Sequence, residues 1–110
     1  MNSCSKNEII LVRYSFSDLS GSKVRPAVVI NAPHSSNDLM IVPLTSRISS
    51  LLSGEFVLSN WKEAGLNTPT AAKRGIFTVQ NNFVIKIVGN LESSDSKKLE
   101  NSLRFWLGLK

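Results

Sequence analysis

The chain has 110 residues, enough for one small domain (1–110) and too few for two. Its single cysteine, Cys4, and single histidine, His34, exclude a disulfide framework, a zinc site built on Cys or His, and a catalytic histidine pair within one chain. Hydrophobic residues at 42% and charged residues at 19% exclude a disordered chain, while a net charge of +5 favours an anionic partner. That charge is uneven: residues 1–55 carry five Lys/Arg against four Asp/Glu, and residues 56–110 carry eight against four. No apolar run approaches the ~18 residues of a membrane helix, and the polar start Met1–Asn7 lacks a secretory apolar region. The expectation is a cytoplasmic protein that makes no membrane contact, with residues 1–7 frayed and Cys4 without a function.

In chain order, Glu8–Tyr14 is β-branched and apolar and reads as a first strand. Ser15–Lys23, with Asp18, Gly21 and several serines, is loop chemistry. Val24–Ile30 reads as a second strand, and Pro26, which has no N–H for a ladder, must lie at its start, an edge or a bulge. Asn31–Asn37 is a turn that contains His34, and Asp38–Leu44 a third strand with Pro43 near its end. Beyond the Thr45–Ser53 loop, Gly54–Leu58 reads as a short fourth strand, and Asn60–Ala64 with Gly65 as one helical turn with a glycine stop. Thr70–Val79 and Val84–Val88 are further extended segments. The tail changes period: Ser93 or Ser94 can cap a helix, Asp95 suits its positive end, Leu99, Leu103 and Trp106 share one face, and Gly108 closes it. The whole predicts a mainly β fold, a small SH3-like antiparallel barrel with a short helical turn and a C-terminal amphipathic helix.

Particular residues in order say more than this composition does. The segment Phe16-Ser17-Asp18-Leu19-Ser20-Gly21-Ser22-Lys23-Val24-Arg25-Pro26-Ala27-Val28-Val29-Ile30 resembles the signature of the MazF/PemK toxins, a polar glycine-containing loop before an Arg-Pro-Ala strand. The likeness continues in Ile41-Val42-Pro43-Leu44-Thr45-Ser46, in Trp61-Lys62-Glu63-Ala64-Gly65-Leu66, in Pro69-Thr70-Ala71-Ala72-Lys73 and in the closing Leu107-Gly108-Leu109, so that it spans about residues 8–109 and suggests a PemK-like branch. The resemblance implies a toxin of a type II toxin-antitoxin system: a homodimeric, metal-independent and cofactor-free endoribonuclease. Its RNA would be single-stranded and cut at short sequences, with inhibition of translation and growth as the outcome, and a cognate antitoxin would neutralise it.

By the same resemblance, Arg25 matches the family's catalytic arginine and Thr45 its catalytic threonine. The chemistry suits them. A guanidinium is a planar, permanently charged fork for two phosphate oxygens, and a hydroxyl can donate to a developing oxyanion. The residues themselves leave Arg25 open as an arginine paired with Asp18, and Thr45 open as a turn hydroxyl. Ser22 and Ser46 are either phosphate contacts or loop polarity, and Lys23, Arg47, Lys73 and Arg74 either phosphate contacts or solvated charges. Phe16 either stacks an RNA base or packs under its loop, while Trp61 and Trp106 read as core or interface aromatics. Lys97 and Lys98 present either a solvated helix face or a surface for an acidic partner. Arg47 stands where many relatives have glutamine, and the Gly-Asp start common in the family is here Asn7-Glu8. The competing readings are a non-catalytic SH3-like barrel that binds RNA or protein, including a degenerate toxin, and a poison of DNA gyrase like CcdB.

Overall fold

A computed structural model describes residues 4–14, 23–31 and 35–110, with Tyr14 described for its backbone alone. The expectations for Phe16, Asp18, Ser22 and His34 fall outside the described residues. Seven strands and one helix follow in order: β1 (Glu8–Tyr14), β2 (Lys23–Val29), β3 (Asp38–Thr45), β4 (Phe56–Val57), β5 (Ala71–Ala72), β6 (Phe77–Gln80), β7 (Val84–Asn90) and α1 (Ser93–Leu107), with a 3₁₀ turn over Asn81–Phe83 between β6 and β7. The mainly β antiparallel architecture with one C-terminal helix is as expected. Its ladder runs β4-β5-β3-β2-β1-β7, with β6 added beside β3, and among the described residues it does not close on itself as a barrel would.

β3 organises the sheet. One edge pairs with β2 from Val29↔Ile41 to Ala27↔Pro43. The other edge is divided, Asp38–Ile41 pairing with β6 and Leu44–Thr45 with β5. Successive strand residues point to opposite faces, so β2 sends Ala27 and Val29 to one core and Val28 to the other. The first core gathers Ile10, Val12, Leu39, Ile41, Val79 and Val84; the second lies under α1, where Leu99, Leu103 and Trp106 meet Ile9, Val42 and Leu58. The predicted helix face is the one that packs.

For residues 4–7 the expected fraying is corrected, beginning with Cys4. It is buried in the first core, the Asn7 N–H donates to the Val29 carbonyl at 2.8 Å, and the Leu91 N–H donates to the Asn7 carbonyl at 2.7 Å. Burial, with the Glu8 carboxylate adding to it, raises the thiol above its ordinary value of 9.0. The folded state therefore favours the neutral thiol. That contribution is complete below the unfolded thiol's pKa and is lost as pH climbs through the raised folded value. Two outcomes are expected: iodoacetamide at pH 8 modifies Cys4 slowly in the native protein and quickly in urea, and wild type loses stability relative to Cys4→Ala as the pH rises past 9. Equal labelling rates with and without urea would contradict the burial.

The long connection between β4 and β5 is held without a ladder. One helical turn closes at the Ala64 N–H, which donates to the Asn60 carbonyl at 3.1 Å, and Gly65 follows at φ +98°. This turn rests on β7 so closely that a side chain at Gly89 would collide with the Ala64 carbonyl oxygen. The helix cap also differs from expectation. Neither Ser93 nor Ser94 caps α1; Glu92 is the N-cap residue and makes no side-chain bond there, while the Ser94 hydroxyl donates to the Asn60 side chain. Asp95 does more than suit the helix dipole. It is fully buried and accepts from the Ser59 N–H at 2.8 Å and the Asn60 N–H at 2.9 Å. Lys98, exposed on the helix, donates to the Ser59 hydroxyl at 2.6 Å and lies 3.9 Å from Asp95. At the other end, Gly108 at φ +70° closes the helix as predicted.

Candidate functional site

The site opens where β2 and β3 stop pairing. Their register ends at Ala27↔Pro43, and carried two residues further it sets Arg25 opposite Thr45. Pro26 and Pro43 flank this point. Neither has an N–H to donate, so the ladder loses its donors where the two strands end their pairing. β2 stays in the sheet through β1, with Arg25 paired to Val12 and Pro26 to Leu11. β3 stays in it through β5, with Thr45 paired to Ala71. Two anchored strands thus present Arg25 and Thr45 across a gap.

The gap is a cavity of about 320 Å³, lined by Arg25, Pro43, Leu44, Thr45, Ser46, Arg47 and Lys73. Arg25 and Thr45 are half-buried, whereas Ser46, Arg47 and Lys73 are exposed at the rim. Three cations and two hydroxyls surround a space with no carboxylate in its described lining, which is an environment for an anion. Among the described residues the ion pairs are Lys98–Asp95 and Arg104–Glu100, both on α1, so none engages Arg25, Arg47 or Lys73. Thr45 Oγ1 accepts from the Arg47 N–H at 3.1 Å. The turn-hydroxyl reading of Thr45 is therefore correct as far as it goes, and it has a chemical use: the oxygen is fixed by the bond it accepts, and the hydroxyl keeps its own proton to donate.

Of the residues singled out from sequence, Arg25, Thr45, Ser46, Arg47 and Lys73 come together in this cavity. Lys23, exposed and paired with Tyr14 in the β1·β2 ladder, does not line it. Nor does Arg74, whose backbone N–H is bound by Glu55 Oε2 at 2.9 Å. Trp61 and Trp106 pack in the second core, Trp106 donating from Nε1 to the Ser53 carbonyl at 2.9 Å. A larger depression of about 530 Å³ lies at the other end of β3, lined by Ser36, Asn37, Asp38, Gln80, Asn81, Asn82 and Val84, with no cation among these described lining residues. Among the described residues no three His, Cys, Asp or Glu side chains gather as a metal site requires, and no helix is long and apolar enough to cross a membrane. Sequence reasoning missed Glu55, whose Oε2 accepts from the Arg74 N–H one residue beyond the cavity-lining Lys73. Its only local signal is its place three residues after Leu52 in a Ser-Gly turn, a spacing at which a glutamate can reach back to a free N–H.

The profile of PemK-like, MazF-like toxins of type II toxin-antitoxin systems matches residues 5–107. The chain belongs to this family. Solved structures agree on the fold. The Mycobacterium tuberculosis toxin MazF-mt6 superposes with a TM-score of 0.75 at 18% identity, over 94% of this chain and 98% of that one. An endoribonuclease in complex with its cognate antitoxin, from a mycobacterial species, gives 0.78 at 15% identity over 98% of each chain. MazF from Deinococcus radiodurans gives 0.79 at 12% identity over 99% and 100%. No curated protein sequence matches the chain. At such low identity these likenesses establish the toxin's fold, and its chemistry must be argued from its own cavity.

Proposed function

We propose that this toxin is a metal-independent, sequence-specific endoribonuclease acting on single-stranded RNA, above all cytoplasmic mRNA, and that it inhibits translation and growth until a cognate antitoxin neutralises it. The observation that carries the reading is the pair Arg25 and Thr45 set across one cationic cavity, with Arg47 and Lys73 at its rim. In the reaction the ribose 2′-oxygen bonds to the neighbouring phosphorus and the bond from phosphorus to the 5′-oxygen breaks. A 2′,3′-cyclic phosphate and a 5′-hydroxyl result. The 2′ proton leaves to water and the 5′-oxygen takes one from water, because arginine holds its proton tightly near neutrality and is a poor shuttle.

Arg25 binds the non-bridging phosphate oxygens and draws off the charge they gain in the transition state. Thr45, its oxygen fixed by the Arg47 N–H, donates its proton toward the same developing oxyanion. Lys73, Arg47 and Ser46 hold the adjoining phosphates, and Lys23 and Arg74 extend the cationic surface for the strand. Ser22 and Phe16 belong to the same proposal by their chemistry, as a phosphate contact and a base-stacking ring. The resemblance also implies a homodimer, and exposed Ile85 and Ile87 on the edge strand β7 offer apolar surface of the kind a second copy covers. The antitoxin partner is supported by the mycobacterial relative described in complex with one.

The test is to incubate the purified toxin with end-labelled single-stranded RNA in EDTA and map the product ends. Cleavage that persists in EDTA and leaves cyclic phosphate and 5′-hydroxyl termini is expected. RNA that is bound but left intact, or cut only when Mg²⁺ is added, overturns the reading.

A further inference from the structure

We infer that Glu55 is a positioning residue for RNA binding, holding the Lys73–Arg74 turn as a phosphate clamp on one side of the cavity; this rests on the reading of the toxin as an RNA-cleaving enzyme. Lys73 follows β5 directly, and its N–H donates to the Pro43 carbonyl at 2.9 Å, extending the β3·β5 pairing to the cavity wall. The chain must then turn away, and the next amide, that of Arg74, has no strand partner. Glu55 supplies one. Its Oε2 accepts from the Arg74 N–H at 2.9 Å, and its Oε1 accepts from the Leu52 N–H at 2.7 Å, closing the turn on which Glu55 itself stands.

That turn is mounted on the helix. The Ser102 hydroxyl donates to the Gly54 carbonyl at 2.7 Å and Trp106 Nε1 to the Ser53 carbonyl. A continuous series of bonds thus runs from α1 through residues 53–55 to Arg74 and Lys73, and on to the strand that carries Thr45. Both carboxylate oxygens are occupied by backbone amides, and no ion pair among the described residues joins Glu55 to Lys73 or Arg74. The glutamate therefore fixes the backbone beneath two cations while leaving their side chains available for phosphate. Fixing a cation ahead of binding lowers the ordering cost that RNA must otherwise meet.

Glu55→Gln separates this role from plain support. Glutamine has one oxygen for two amides and must turn its NH₂ toward the Leu52 or the Arg74 N–H, so the bridge between them breaks whichever it faces, while the 52–55 turn keeps its Glu55 N–H bond to the Leu52 carbonyl at 2.9 Å. The expected result, for cleavage of a defined single-stranded RNA, is a rise in KM of about fivefold with kcat unchanged within about twofold. The slope of log KM against log salt should fall by about 0.7, the equivalent of one lost phosphate contact. Lys73→Gln should do the same, and the double variant should be no worse than either single one. Additive effects, or an unchanged or lower KM and an unchanged salt slope in Glu55→Gln, overturn the inference; a lower KM would mean that the glutamate merely repelled RNA. Should Glu55→Gln melt below the assay temperature, Glu55→Asp, charged but one methylene shorter, is read by the same criteria. If wild type leaves RNA uncut, the enzymatic reading falls and this inference with it; if wild type cuts and Lys73→Gln alone is weakened, only the role of Glu55 falls.

Discussion

Replacing Arg25 by alanine is expected to slow RNA cleavage by about a thousandfold, some 4 kcal/mol of transition-state stabilisation. The size follows from the placement of the guanidinium. It is half-buried in the cavity wall, opposite Thr45, and no described carboxylate competes for it, so its charge acts at short range on whatever phosphate enters. Arg25→Lys keeps the charge but loses the two-pronged geometry, and should recover about a tenth to a hundredth of the activity. Thr45→Ala removes one oxyanion donor and should cost about a hundredfold. Since these groups are assigned to stabilising charge and not to moving protons, the loss should appear at every pH tested, and Arg25→Lys should keep the shape of the wild-type pH–rate profile. A steep limb near neutrality that vanishes in Arg25→Lys would make the arginine a proton carrier and refute this assignment. Arg25→Ala with wild-type activity would remove the site altogether.

The largest expected loss of stability comes from Asp95→Ala, about 3–5 kcal/mol. Asp95 is completely shielded from water and holds two backbone amides some thirty-five residues away in sequence, at Ser59 and Asn60. Alanine leaves the amides of exposed Ser59 and half-buried Asn60 without their acceptor and gives Lys98 no counter-charge. In a domain of this size the melting temperature should drop by roughly 4 °C or more for each kcal/mol. Asp95→Asn retains one carbonyl acceptor and should fall between the two. The same lesion should leave the cleavage rate per folded molecule nearly intact at low temperature, because neither Asp95 nor the 59–60 segment lines the cavity. A melting temperature within a degree or two of wild type would show that water replaces the carboxylate at both amides.

Most of the sheet was legible because its signals are local. Glu8–Tyr14 forms β1 over the expected residues, Val24–Ile30 shifts by one to Lys23–Val29, and Asp38–Leu44 extends by one to Thr45. Runs of consecutive apolar residues on these strands feed both cores, one from each face of the sheet, and Leu99, Leu103 and Trp106 mark the packed face of α1. The shorter elements were overread. Gly54–Leu58 contributes a strand only at Phe56–Val57, since Glu55 is committed to the turn before it, and Thr70–Val79 divides into β5 and β6 on either side of Gly75 at φ +150°. The residues that escaped notice act across long separations. Asp95 looks like a helix-start acid, Cys4 like part of a loose terminus, and Glu55 like a surface charge, because the amides and carbonyls they meet come from distant segments. In the candidate site, Arg25 and Thr45 stood out through their neighbours in sequence. That Lys73 joins them in the cavity while Lys23 does not follows from the pairing of β3 with β5, which the sequence does not spell out.

The two kinds of cavity residue have different mechanical standing. Thr45 ends the strand that is paired along both edges, and Arg25 lies on one held by β1, so any change that moves them must disturb the sheet itself. Arg47, Lys73 and Arg74 are exposed and lie just beyond the ends of β3 and β5. Under the proposed function, a lineage of such toxins can exchange the cations at 47, 73 and 74, and with them the stretch of RNA they would grip, while Arg25 and Thr45 stay where the sheet has set them. On that proposal, diversification of target at constant chemistry is built into the division between strand and strand end.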